Sequence, residues 1–266
     1  MMVDEETHKK LARRLRATGS VFAELEATLL IEGAASPEQL ESDTVRREAG
    51  IPLEAILGWV EFCGLRVPID PGVFVPRRRT EFLVTQAAER TAPGATVVDL
   101  CCGCGALGLA LAHLRPGIDL YASDIEPAAV ANARRNLPPD RVFEGDLFDA
   151  LPSALRGRID ILLANTPYVP SGDLRMLPPE ARLHEPVVAL DGGFDGLGIQ
   201  RRIAEQASQW LAPGGRLFVE VSDEQAPHSV AVFEAEGLTA EVVTTESSDD
   251  DDDDSYDATI VIATRR

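Results

Sequence analysis

The sequence predicts an α/β fold in which a seven-stranded, mostly parallel twisted sheet follows a small helical domain. Three observations carry this expectation. From Pro93-Gly94 onward, short apolar runs alternate with helical patterns, the order of a parallel sheet joined by right-handed crossovers. Within that region Val97-Val98-Asp99-Leu100 leads into Cys101-Cys102-Gly103-Cys104-Gly105 and then Ala106-Leu107-Gly108. A buried strand, a turn of small residues and a helix start hold a nucleotide-like ligand at the carboxyl edge of such sheets. Residues 1–60, by contrast, show only helical spacing.

The elements follow in order. A helix from Thr7 to Ala17 buries Leu11 and Leu15 and leaves Lys9, Lys10, Arg13, Arg14 and Arg16 solvated. After Gly19-Ser20, the residues Val21, Phe22, Leu25, Leu29 and Leu30 recur at helical spacing, with Ser20 as expected N-cap. Ser36-Pro37-Glu38 opens a third helix, capped by Ser36 with Pro37 in its first turn, and Gly50-Ile51-Pro52 ends it. Between Trp59 and Pro76, two apolar runs separated by Asp70-Pro71-Gly72 read as a hairpin-like connector. It leads to a helix that begins at Arg77–Glu81 and continues through Phe82, Leu83, Ala87 and Ala88.

Sheet strands are expected at Thr96–Leu100, Asp119–Ser123, Arg141–Glu144, Ile159–Asn165, Arg216–Val221, Thr239–Thr245 and Ala258–Thr264. Helices are expected at Leu107–Leu114, Pro127–Asn136 and Ile199–Leu211. The last two strands are joined by residues 246–257, too few for a helical crossover, so they pair antiparallel. The run Asp249–Asp254 in that joint repels itself and reads as a solvated tip; it lacks the interspersed carbonyl ligands and glycine turn of a calcium loop. The expected division is 1–60 helical substrate-recognition domain, 61–76 connector and 77–266 sheet domain.

With 266 residues, 45% of them hydrophobic, the chain can bury one sizeable core and a small accessory one. A net charge of -19 argues against a nucleic-acid groove, which needs clustered Lys and Arg, and favours a protein or small-molecule partner. Arg77-Arg78-Arg79 is the exception, readable as a patch for an acidic partner or RNA or as a solvated helix start. The absence of a leader pattern and of an apolar run of about 18 residues points to the cytoplasm and away from the membrane. Cys101, Cys102 and Cys104 crowd one turn, so they cannot form a spaced disulfide framework. No second Cys pair or nearby His completes a metal site. They read as small turn residues, or as redox-sensitive thiols beside a cofactor.

The chemistry is written in four strand ends. Gly103 and Gly105 let a ligand approach the backbone. Asp124 ends the next strand 19 positions after Gly105, where a carboxylate accepts ribose hydroxyls from NAD or S-adenosylmethionine alike. Asp146 ends the third strand, positioned to accept an adenine amine while Ile125 or Leu147 packs on the ring, which weakens a dehydrogenase reading. The fourth strand ends in Asn165-Thr166-Pro167-Tyr168. This tetrad resembles the Asn-Pro-Pro-Tyr motif of methyltransferases that modify planar nitrogens. An amide lone pair is delocalised and weakly nucleophilic, so both N–H bonds must be held and the nitrogen aimed. Asn165 Oδ1 and a following backbone carbonyl can hold them, and Tyr168 can stack on the planar group.

With these residues in place the chain resembles the HemK-type protein-glutamine methyltransferases, which methylate the glutamine of peptide-chain release factors. The likeness runs from about Arg46 to Val221. It includes Gly50-Ile51-Pro52-Leu53, Val73-Phe74-Val75-Pro76-Arg77, Thr80-Glu81, Gly145-Asp146-Leu147-Phe148, Ala189–Leu197, Pro213-Gly214-Gly215 and Val219-Glu220-Val221. The resemblance implies a Rossmann-like class I S-adenosylmethionine-dependent fold. It implies that Phe74, Pro76, Glu81, Asp99, Cys101, Gly103, Gly105, Asp124, Ile125, Asp146, Leu147 and Asn165 surround S-adenosyl-L-methionine. It assigns the glutamine to Asn165, Pro167 and Tyr168, and a protein partner, with a release factor as candidate. The chain departs from the family pattern at Thr166, across Cys101–Cys104, at Arg78, and in the aspartate run. Two rivals stand beside this expectation: a nucleic-acid adenine amino methyltransferase, and an inactive S-adenosylmethionine-binding interaction module.

Overall fold

The structure is a computed structural model that describes residues 5–245 and 257–266; the Asp249–Asp254 run lies outside the described residues. The chain opens with α1 (Glu5–Ala17), α2 (Ala23–Gly33), α3 (Pro37–Glu48) and the short α4 (Leu53–Leu57). Leu11, Leu15, Ala23, Ala27, Leu30 and Leu40 form a small core among them. Arg14 forks between Glu41 (2.7 Å) and Glu48 (2.8 Å), tying α1 to α3. Ser36 caps α3 as expected, accepting from the Gln39 N–H at 3.2 Å.

The reading of α2 is corrected. Its N-cap is Phe22, not Ser20, and no side chain caps it. Val21, Phe22 and Leu25, expected on the buried face, are exposed (84, 54 and 57%), while the small Ala23 and Ala27 face the core. A core this small is filled by the residues that let α1 come close, so close packing overrides apolar bulk.

Next, β1 (Trp59–Phe62) and β2 (Leu65–Pro68) form an antiparallel hairpin. Its turn is Cys63-Gly64, both at positive φ (50° and 72°), and not Asp70-Pro71-Gly72. Two left-handed residues match the twist of the flanking strands. Asp70-Pro71-Gly72 makes a separate turn after β2, closed by Val73 N–H to Asp70 carbonyl at 3.2 Å.

The remaining elements are α5 (Glu81–Arg90), β3 (Thr96–Leu100), α6 (Ala106–Leu114), β4 (Asp119–Asp124), α7 (Pro127–Asn136), β5 (Val142–Glu144), β6 (Ile159–Ala164), α8 (Pro179–His184), α9 (Gly198–Trp210), β7 (Leu211–Val221), α10 (Ala226–Ala235), β8 (Thr239–Thr244) and β9 (Thr259–Thr264). The sheet order is β5-β4-β3-β6-β7-β9-β8. Its first five strands run parallel, and β9 is antiparallel to both β7 and β8. Val97, Ile161 and Leu163 face one core and Val98, Leu162 and Val219 the other, so the central strands are apolar on both sides. The sequence reading misses α10, whose buried residues Ala226, Ser229 and Phe233 include only one large hydrophobe and so leave little periodic signal.

The chain passes from β3 outward through β4 to β5, then returns to β6 on the opposite side of β3. Such a reversal opens a crevice at the carboxyl ends of the two strands. The turn after β3 and the tetrad after β6 flank that crevice.

Candidate active site

One wall is the turn after β3. Cys101 has φ 56°, a left-handed conformation that costs a residue with a Cβ about 1–2 kcal/mol. Gly103 (φ +55°) has nothing within 4 Å of where a Cβ would stand, so a ligand can lie against its backbone, and its N–H donates to Asp124 Oδ2 at 2.8 Å. Asp124 Oδ1 accepts from the Glu126 N–H at 2.9 Å. Both carboxylate oxygens keep a lone pair for further donors, and burial raises the Asp124 pKa. Val73, Phe74, Ile125 and Ala129 supply apolar walls to the same cavity, with Cys101 and Gly103. An apolar cleft with one carboxylate aimed at hydroxyl donors suits the adenosine part of S-adenosylmethionine.

Asp99 lies beneath this wall, 1% exposed. Its Oδ2 accepts from the Gly108 N–H at 2.9 Å while Oδ1 has no partner. Burial, reinforced by the nearby Asp124 charge, pushes its pKa up to about 7. Burial also drives the Cys101, Cys102 and Cys104 thiols upward. They therefore stay protonated at neutral pH, the condition of a structural rather than a reactive cysteine. Among the described residues no group of three or more His, Cys, Asp or Glu is placed to hold a metal ion.

The opposite wall is Asn165-Thr166-Pro167-Tyr168, which lines the same cavity. Asn165 Nδ2 donates to Thr80 Oγ1 at 3.4 Å, and Thr80 donates to Glu220 Oε2 at 2.5 Å. Arg79 Nε donates to Glu220 Oε1 at 2.8 Å, and Arg79 also donates to the Tyr168 hydroxyl. From behind, Gln225 Nε2 donates to the Tyr168 carbonyl at 2.9 Å, and Gly196 packs so closely that a Cβ would stand 2.2 Å from that oxygen. Arg77 pairs with the buried Glu185 at 2.6 Å. Arg77 and Arg79 thus each pair with a buried carboxylate while their side chains stay 37 and 40% exposed, and Arg77, Arg78 and Arg79 all line an open groove.

A second, open groove of about 650 Å³ runs from Tyr168 and Phe74 past Leu177 and Pro178 to Pro52 and Phe22. It shares Phe74, Tyr168 and Ala189 with the cavity. The two concavities thus adjoin at Tyr168, the last residue of the tetrad.

Of the residues expected around the cofactor, Phe74, Cys101, Gly103, Asp124, Ile125 and Asn165 line the cavity together with Pro167 and Tyr168. Pro76 lines the groove instead. Glu81 accepts from the Cys63 N–H at 2.9 Å and so holds the hairpin tip. Gly105 (φ +80°) serves packing, since a Cβ there would meet Leu137 at 2.8 Å. Asp146 is ion-paired to Arg202 at 2.6 Å, and Leu147 is buried in the core. The sequence reading misses Arg79, Thr80, Glu220 and Gln225. Thr80 and Glu220 stand within stretches of the family likeness that carried no role for them, and the physical signal for Glu220 is an acid in the apolar run of β7, because such a group is buried only with partners.

Fold and site together define a class I S-adenosylmethionine-dependent methyltransferase. The family described as methyltransferase small domain matches residues 64–177. The release factor glutamine methyltransferase of Geobacter sulfurreducens is 39% identical over 76% of this chain and 72% of its own length. The 4-amino-L-phenylalanine/4-methylamino-L-phenylalanine methyltransferase of Streptomyces pristinaespiralis is 38% identical over 72% of this chain and 68% of its own. A methyltransferase structure from Pyrococcus furiosus superimposes with TM-score 0.55 at 14% identity, covering 85% of this chain and 97% of that one. The chain belongs to the release factor glutamine methyltransferase family. Among the described residues no helix is long and apolar enough to cross a membrane.

Proposed function

We propose that this protein transfers a methyl group from S-adenosylmethionine to the side-chain amide nitrogen of a glutamine in a peptide-chain release factor, in the cytoplasm. The observation that carries the reading is that the cavity lined by Asn165–Tyr168 adjoins an open groove across the shared Phe74, Tyr168 and Ala189. Transfer between two molecules needs their sites to touch at the reacting atoms. The groove suits a polypeptide loop rather than a small free substrate. We assign residues 1–60, which supply Phe22 and Pro52 to the groove, as the substrate-recognition domain, 61–76 as connector and 77–266 as the methyltransferase domain.

In this mechanism Asp124 holds the ribose hydroxyls, the Gly103 backbone lies under the ligand, and Phe74 and Ile125 cover its apolar surface. When bound, S-adenosylmethionine supplies a methyl group already activated on a sulfonium. Asn165 Oδ1 and the Thr166 carbonyl accept the two N–H bonds of the glutamine amide and turn its nitrogen toward the cavity. Tyr168 stacks on the amide plane. Pro167 biases Thr166 to extended backbone, keeping that carbonyl in place. The nitrogen becomes acidic once methylated, so its proton passes to water without a strong base.

Incubation with labelled S-adenosylmethionine and purified release factors, followed by mass spectrometry of tryptic peptides, tests this. Label on a glutamine supports the reading. A small-molecule aryl amine is the second acceptor, favoured by the Streptomyces relative. Label on 4-amino-L-phenylalanine alone would establish it instead. Label on nucleic acid overturns both, binding of S-adenosylmethionine in calorimetry without transfer to any acceptor leaves the inactive binding module, and failure to bind it overturns every methyltransferase reading.

A further inference from the structure

An asparagine carboxamide can present either its oxygen or its NH2 group to a neighbour, and the choice is fixed only by the network around it. The mechanism above needs the oxygen of Asn165 to face the substrate. The groups that enforce this lie on two other segments of the chain. Glu220 on β7 is 3% exposed and Thr80, just before α5, is fully buried. As a carboxylate Glu220 only accepts, so the single Thr80 proton is committed to its Oε2 at 2.5 Å. Thr80 Oγ1 is left with lone pairs alone to offer Asn165. Only the Nδ2 branch of Asn165 can face it, and does so at 3.4 Å. The oxygen branch therefore turns away from Thr80. The other oxygen of Glu220 holds Arg79 at 2.8 Å, and Arg79 in turn bonds the Tyr168 hydroxyl and lies over its ring, 5.5 Å from the centroid.

We propose that Glu220 is a positioning residue for both ends of the tetrad, acting through Thr80 to direct the Asn165 oxygen at the substrate nitrogen and through Arg79 to set the Tyr168 ring. The catalytic part of this proposal rests on the planar-nitrogen reading of the site. Its structural part, the direction of the Asn165 carboxamide, does not. A glutamine at 220 can donate to Thr80, which frees the threonine proton for Asn165 and removes the reason for its orientation. A valine at 80 keeps the shape and deletes the relay, whereas a serine keeps the hydroxyl.

Steady-state kinetics on the full chain compares Glu220→Gln, Thr80→Val and Thr80→Ser, each checked for its melting temperature. Glu220→Gln and Thr80→Val are expected to lower kcat by about 10- to 100-fold, with KM for both substrates within about three-fold of the parent. Thr80→Ser is expected to retain most of kcat. Side-chain amide NMR supplies a readout independent of turnover, with the Asn165 NH2 signals assigned by their loss in Asn165→Ala. Slow proton exchange at that NH2 in the parent and in Thr80→Ser, and fast exchange in Thr80→Val, support the relay. Unchanged kcat in Glu220→Gln and Thr80→Val, an equal loss in Thr80→Ser, or an unprotected NH2 in the parent overturns it. If the parent methylates no acceptor, the proposed function fails while the exchange experiment still decides the relay. If Thr80→Val fails to fold, Glu220→Gln and Thr80→Ser carry the comparison.

Discussion

The two turns that flank the crevice are built in opposite ways. The turn after β3 is held by its sequence neighbours: Gly105 N–H reaches Cys102 carbonyl at 2.7 Å, Gly108 N–H reaches Asp99, and the adjacent strand supplies Asp124. The tetrad after β6 is held by side chains far along the chain, with Thr80 85 residues before Asn165 and Gln225 57 after Tyr168. A donor common to many enzymes needs a cradle of backbone and one carboxylate, which a short motif can encode. An acceptor nitrogen needs directed side chains, and those must be fixed by distant, buried partners. In this chain the first turn tolerates strain at Cys101, while the second is braced by an ion pair, a glutamine and a closely packed glycine.

Substitutions on either side sharpen that contrast. Asn165→Ala is expected to cut kcat by about 100-fold or more while cofactor affinity in calorimetry stays within about two-fold; a comparable loss of affinity would merge the two walls into one function. Asp124→Ala is expected to weaken cofactor binding by about 10- to 100-fold, because a half-buried acceptor of two backbone N–H groups disappears together with the ribose contact proposed for it. Gly196→Ala places a Cβ 2.2 Å from the Tyr168 carbonyl at a φ of +78°. A loss of about 2–3 kcal/mol in urea unfolding is expected.

Stability also reports on the strained side. Because the folded-state pKa of Asp99 is raised to about 7 from 3.8, its favourable contribution is complete at low pH and is lost as pH rises toward 7. Folded Asp99 keeps a proton that the unfolded chain gives up, so unfolding becomes easier by at most about 1.4 kcal/mol per pH unit. The urea midpoint of the parent should therefore fall more steeply between pH 5 and 7 than that of Asp99→Asn; parallel curves would show that Asp99 is not the group responsible. Cys101→Gly has the smallest expected effect, a gain of about 0.5–1 kcal/mol, as relief of the left-handed strain exceeds the added freedom of the unfolded chain.

The parallel strands were readable because residues buried on both faces must be apolar in short unbroken runs, as in Val97-Val98 and Ile161-Leu162-Leu163. The helical start was less so. Val21, Phe22 and Leu25 carry the right spacing and still face outward, since periodicity does not say which partner a face will meet. The hairpin turn was misplaced because Asp70-Pro71-Gly72 is the stronger local turn signal, while Cys63-Gly64 depends on the pairing of the flanking strands.

The sequence alone determined the parallel sheet, the glycine turn after β3, Asp124 and the tetrad, because each is a local pattern whose chemistry follows from residue type and spacing. Only the tertiary structure decided that Asp146 meets Arg202, that Glu81 serves the hairpin, and that Glu220 stands behind Asn165 and Tyr168. A hydrogen bond is set by distance and direction in space, and residues 140 apart, such as Thr80 and Glu220, acquire both only when the sheet has formed.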